Sequence, residues 1–109
     1  MHYLSVQVQP NLLAAFDARA IDELRALDAP NGSIRDVEVV RGDDNGPYIN
    51  VTFTTPDPEL LWPAVREQLV RLGLQSASIA TCTGSRGWDN YLLLHHFSRE
   101  VPRERFSAP

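Results

Sequence analysis

The sequence predicts an α+β fold, a ferredoxin-like two-layer sandwich of order β-α-β-β-α-β(-β), with one antiparallel sheet and two helices on one face. Three observations carry this. Three segments alternate apolar and polar residues with period two. Two other segments carry apolar stripes at steps of three and four. Each β-α-β half requires a right-handed crossover, which brings both helices to the same side of the sheet.

The first strand covers residues 3–8, with Leu4, Val6 and Val8 inward and Tyr3, Ser5 and Gln7 outward. Pro10 and Asn11 are expected to open the first helix, whose stripe is Leu13, Phe16, Ala20, Leu24 and Leu27. The run Ala29, Pro30, Asn31, Gly32 stops it. Residues 34–41 form the second strand, with Val37 and Val39 on one face and Asp36 and Glu38 on the other. Residues 42–47 make a turn, and residues 48–54 return as the third strand, with Ile49, Val51 and Phe53 inward.

Asp57 is the expected N-cap of the second helix and Pro58 its first residue. Leu61, Val65, Leu69 and Leu72 form its stripe, Pro63 is expected to kink its first turns, and Gly73 ends it. Trp62 reads as a core or core-edge residue. Residues 78–83 form a fourth strand and residues 91–97 a fifth, unless a hairpin replaces the single last strand. Residues 1–98 thus make one α+β domain, followed by a loosely ordered tail at 99–109 that mixes charge and proline.

At 109 residues the chain has enough length for one core without staples. No apolar run approaches the roughly 20 residues that span a bilayer, and the first residues lack the basic-then-apolar pattern of a signal peptide. With a single cysteine there is no internal disulfide, and the cytoplasm is the expected location. The net charge of −4 repels phosphate backbones and anionic lipid, so neither nucleic acid nor membrane is an expected partner. All ten basic residues are arginine, which we read as the codon bias of a GC-rich bacterial genome.

Residues 81–97 hold most of the chemistry: Cys82, His95, His96, Trp88, and two glycines around Ser85 and Arg86. Adjacent strand residues point to opposite faces, so His95 and His96 cannot share an ion, and no metal or other cofactor is expected. Cys82 lacks a nucleophile signature and reads as a small buried hydrophobe. Gly84 to Gly87 has the spacing of a GxxG loop, but strands flank it; it reads as a hairpin loop, with Asp89 and Asn90 as further turn formers. The loop between Gly42 and Gly46 lacks the spaced ligands of a calcium loop.

Two surfaces remain as candidate sites. Arg86, Trp88, Asp89 and Tyr91 combine the residue types that dominate interface hot spots. The open sheet face presents Tyr3, Ser5, Gln7, Tyr48, Asn50 and Thr52, with Glu38 and Val40. Its acidic residues and lack of a basic border argue against an RNA platform. The expected function is therefore a non-enzymatic interaction module binding another protein or a second copy of itself. Neutralisation of a basic partner, as toxin-immunity proteins do, is one version. The alternative is a small-molecule binder or cofactor-free enzyme of a ferredoxin-like dimer. Its pocket on the open face would be lined by Tyr3, Ser5, Tyr48, Asn50 and one histidine.

Overall fold

The structure, a computed structural model, describes residues 1–106. Strand β1, His2–Val8, lies at the centre of the sheet. Its alternation places Leu4, Val6 and Val8 in full burial, as their spacing requires. After β1 the chain departs from expectation. Pro10–Leu12 form a single 3-10 turn, closed by the Leu13 N–H donating to the Pro10 carbonyl at 3.1 Å. Leu13 then adopts extended backbone, with φ −103° and ψ 139°.

Helix α1 is only Arg19–Arg25. Its start is set by Asp17, whose carboxylate accepts the Arg19 N–H at 2.9 Å and whose carbonyl accepts that of Ala20 at 2.9 Å. The predicted helix from Pro10 is therefore corrected to one seven-residue helix preceded by irregular chain. The apolar spacing misled because Leu13 and Phe16 pack against the core from non-helical backbone. Side chains need only reach the core; they need not reach it from one helix.

Strand β2, Asp36–Asp43, and strand β3, Pro47–Thr55, form the expected hairpin, with β2 displaced two residues toward the C-terminus. The turn places Asn45 at φ 56° and Gly46 at φ 132°, which the residue types Asn and Gly tolerate. Helix α2, Pro58–Arg71, begins as predicted: the Asp57 carboxylate accepts the Leu60 N–H at 3.1 Å. Pro63 lies inside it and withholds one backbone donor, yet the helix continues to Arg71.

The end of α2 is a complete Schellman cap. Gly73, at φ 67°, donates to the Val70 carbonyl at 3.1 Å, and Leu74 donates to the Leu69 carbonyl at 2.9 Å. Leu69 and Leu74 are both buried, supplying the apolar contact that accompanies this cap.

A 3-10 turn, Gln75–Ala77, leads into strand β4, Ser78–Gly84, which pairs with strand β5, Gly87–His95. The last strand is thus half of a hairpin, and it begins at Gly87 rather than at Tyr91. Ser85 and Arg86 make the turn; Asp89 and Asn90, expected as turn formers, are strand residues.

The result is one five-stranded antiparallel sheet in the order β2-β3-β1-β4-β5. The buried side chains of α1 (Ile21, Leu24) and α2 (Leu61, Val65, Leu69) form a single core with the inward residues of the strands, Phe53 and Leu4 being the largest. Trp62 packs on its edge. Each fully buried Leu, Val or Phe contributes about 1.5–3 kcal/mol through removal from water.

Beyond β5, Glu104 hydrogen-bonds to Leu93 and Phe106 packs against the core. Residues 107–109 of the expected tail lie outside the described residues. Among the described residues, no helix is long and apolar enough to cross a membrane.

Candidate interaction face

The face of the sheet opposite the core is set by strand register. Ser5 stands between Thr52 and Thr81, with Glu38 and Leu93 continuing the row. Gln7 stands between Asn50 and Ile79, with Val40 beyond Asn50. These residues alternate with the buried ones, so they must emerge on the open side. The row is polar at its middle: the Ser5 and Thr52 hydroxyls hydrogen-bond at 3.0 Å.

Trp88 joins this face to the β4–β5 hairpin. Between the pairs Cys82–Leu92 and Gly84–Gly87, Thr83 alone stands opposite residues 88–91. The excess chain bulges. Asn90 ties the bulge to the turn, its Oδ1 accepting the Arg86 N–H at 2.6 Å and its Nδ2 donating to the Ser85 hydroxyl at 2.8 Å. The Asn90 backbone comes so close to Gly84 that a Cβ at position 84 would collide with its carbonyl oxygen. Glycine is therefore required there for close approach.

With the bulge in place, Trp88 lines a shallow hollow of about 270 Å³ with Ser5, Gln7, Asn50, Ile79 and Thr81. It also lines a neighbouring hollow of about 460 Å³ with Ile79, Tyr91, Leu93, His96 and Val101. Trp88 and Tyr91 remain 48% and 53% exposed, which is high for residues so rich in apolar surface.

Five predicted site residues, Trp88, Tyr91, Ser5, Gln7 and Asn50, thus come together around these two hollows. Arg86 and Asp89 are exposed and line neither. Thr52 is engaged with Ser5. Tyr3 lines neither hollow; its N–H donates to the Thr83 hydroxyl at 3.0 Å. Tyr48 lines a third, polar cleft that shares Gln7 and Asn50 with the face.

Sequence reasoning passed over the apolar members Ile79, Leu93 and Val101. Ile79 and Thr81 were readable, because they alternate with the core residues Ala80 and Cys82. Val101 was not, because only the return of the chain past β5 brings it there.

The histidines have separate engagements. His95 Nε2 donates to the Gln75 carbonyl at 2.7 Å. His96 Nδ1 accepts the Ser98 N–H at 3.0 Å, which holds that nitrogen unprotonated. Its pKa is lowered by burial first, and then by the positive charges of Arg103 and His95. His2 Nδ1 lies 3.4 Å from the Thr83 hydroxyl. Among the described residues, no three His, Cys, Asp or Glu side chains converge as metal ligands would. Cys82 is fully buried on the core face, and burial, aided by the charge of Glu104, pushes its thiol up to about 11. A thiol so protonated is a poor nucleophile.

Comparison with known proteins returns no family, no curated protein and no solved structure that matches this chain.

Proposed function

We propose that this chain is a non-enzymatic interaction domain of the bacterial cytoplasm, a ferredoxin-like sandwich with a fifth strand appended, which binds another protein or a second copy of itself. The order β2-β3-β1-β4 within the sheet supports the ferredoxin-like reading. Arginine as the sole basic residue supports the bacterial one. The observation that carries the functional reading is the exposure of Trp88 and Tyr91 beside Ile79, Leu93 and Val101, on a bulge held by Asn90 and Gly84. A fixed aromatic pair with a polar margin of Ser5, Gln7 and Thr81 is the composition of an interface centre and its rim. The net charge of −4 favours a basic partner surface around that centre.

Trp88→Ala tests this. Because the ring is 48% exposed, the thermal midpoint should move by only a few degrees. Partner capture by the immobilised chain, or dimer formation in sedimentation, should weaken by about thirtyfold, the scale of one hot-spot residue. A large loss of thermal stability without any change in association would make Trp88 a lid on the fold and end the reading.

A further inference from the structure

A polar cleft of about 310 Å³ lies where the 3-10 turn after β1 meets the β2–β3 turn. Gln7, Gln9 and Asn11 line it from one segment, and Asn45, Tyr48 and Asn50 from the other. Five of these six carry carboxamides, and each carboxamide offers both a donor and an acceptor. Gln9 Nε2 donates to Gln7 Oε1 at 3.0 Å, which aligns the two amides and leaves Gln7 Nε2 and Gln9 Oε1 for a guest.

Tyr48 supplies a flat wall. It stands opposite Gly42 in the hairpin register, and a Cβ at position 42 would collide with its ring and hydroxyl. The missing side chain lets the ring lie across β2, fixing an aromatic surface beside the amides.

The lining excludes several ligand classes. No arginine borders the cleft, so a phosphate or carboxylate would find no charge-assisted donor and would meet the Asp44 carboxylate. One carboxylate among neutral amides falls short of a calcium or magnesium cage. The apolar share, chiefly Leu12 and Pro47, is too small for a hydrocarbon guest. What fits is an uncharged molecule with donors and acceptors on the same atoms and C–H bonds to lie on a ring. Hydroxyl groups on a saturated ring have both. The volume equals that of roughly ten waters at about 30 Å³ each, the scale of one small guest.

We propose that this cleft binds a neutral polyhydroxylated small molecule of about one hexose unit, through the carboxamides of Gln7, Gln9, Asn11 and Asn50 and the ring of Tyr48. Gln7 and Asn50 border both this cleft and the hollow beside Trp88, but Trp88 and Tyr91, which carry the protein contact, do not line the cleft.

The test is a titration of the full-length, nitrogen-15-labelled chain with D-glucose, D-galactose and D-mannose, and separately with inorganic phosphate, following side-chain amide resonances. At least one hexose should shift the Gln7, Asn11 and Asn50 amides saturably, with Kd on the order of 1 mM; phosphate should not. Tyr48→Ala and Asn50→Ala should each weaken that hexose about fivefold or more, the scale of one lost neutral contact. Circular dichroism establishes that the variants are folded. Absence of saturable shifts with all three hexoses overturns the inference. So do equal shifts with phosphate, or unchanged affinity in both folded variants. Any of these leaves partner capture through Trp88 standing, and loss of partner capture leaves the cleft standing.

Discussion

Glu104 engages both main-chain hydrogen-bonding groups of Leu93: its N–H donates to the Leu93 carbonyl at 2.7 Å, and its carboxylate accepts the Leu93 N–H at 3.1 Å. Leu93 lies on β5, the edge of the sheet. An edge strand presents unpaired donors and acceptors that recruit other chains. Here one residue from the returning chain occupies both groups at once. Arg103 adds a donor to the His96 carbonyl at 2.7 Å, extending the cover past the strand end.

Removing this cover should therefore change association as well as stability. Glu104→Ala keeps the N–H bond and loses the carboxylate bond, a cost of about 1 kcal/mol in chemical denaturation. Truncation after Ser98 removes both bonds and the core contact of Phe106 as well. It should lower stability further and produce concentration-dependent association in sedimentation velocity. A truncated chain as stable and as monodisperse as the full chain would show that β5 needs no cover.

The Cys82 thiol makes stability depend on pH in the alkaline range. Its folded pKa of about 11 lies above the ordinary 9.0, so folding favours the protonated form. That contribution is fully present below pH 9 and is lost as pH rises toward 11, about 2–3 kcal/mol in all. The informative quantity is the difference from Cys82→Ala, which isolates the contribution of the thiol. The variant should be destabilised by roughly 1 kcal/mol near neutral pH and should lose less stability between pH 9 and 11. Parallel pH profiles for the two proteins would contradict the assignment. In the native state the thiol should also resist a disulfide reagent until the chain unfolds.

Gly84→Ala probes the bulge that places Trp88. The added methyl meets the Asn90 backbone rather than a flexible side-chain end, so strand and bulge must shift. The expected loss is about 1–3 kcal/mol, the usual cost of overpacking. In a Trp62→Phe background, the emission of Trp88 should also move toward that of solvent-exposed indole. Stability and emission both unchanged would mean that the close approach does not set the bulge.

Much of the fold was legible because its determinants are local. Period-two spacing placed Leu4, Val6 and Val8, and Ile49, Val51 and Phe53, on the core face. Asp57, Pro58 and Gly73 bounded α2 because capping is decided within one helical turn. The segment between Pro10 and Ala18 was not legible. Its apolar residues satisfy a helical period and still reach the core from irregular chain, since burial depends on where a side chain arrives.

The site divides in the same way. Alternation alone assigned Ser5, Gln7 and Asn50 to the open face, and composition alone drew attention to Trp88 and Tyr91. Only the tertiary structure decided that Trp88 lies over that face, beside Ile79 and Thr81. That placement rests on a register in which Thr83 opposes four residues, on a collision that only glycine avoids, and on a chain return that brings Val101 alongside Leu93. Each is a contact between residues whose partners are chosen by packing and not by neighbours in sequence. The bond from Tyr3 to Thr83, across 80 positions, is the plainest instance. No local pattern encodes it; it forms because β1 and β4 are the strands the core brings together.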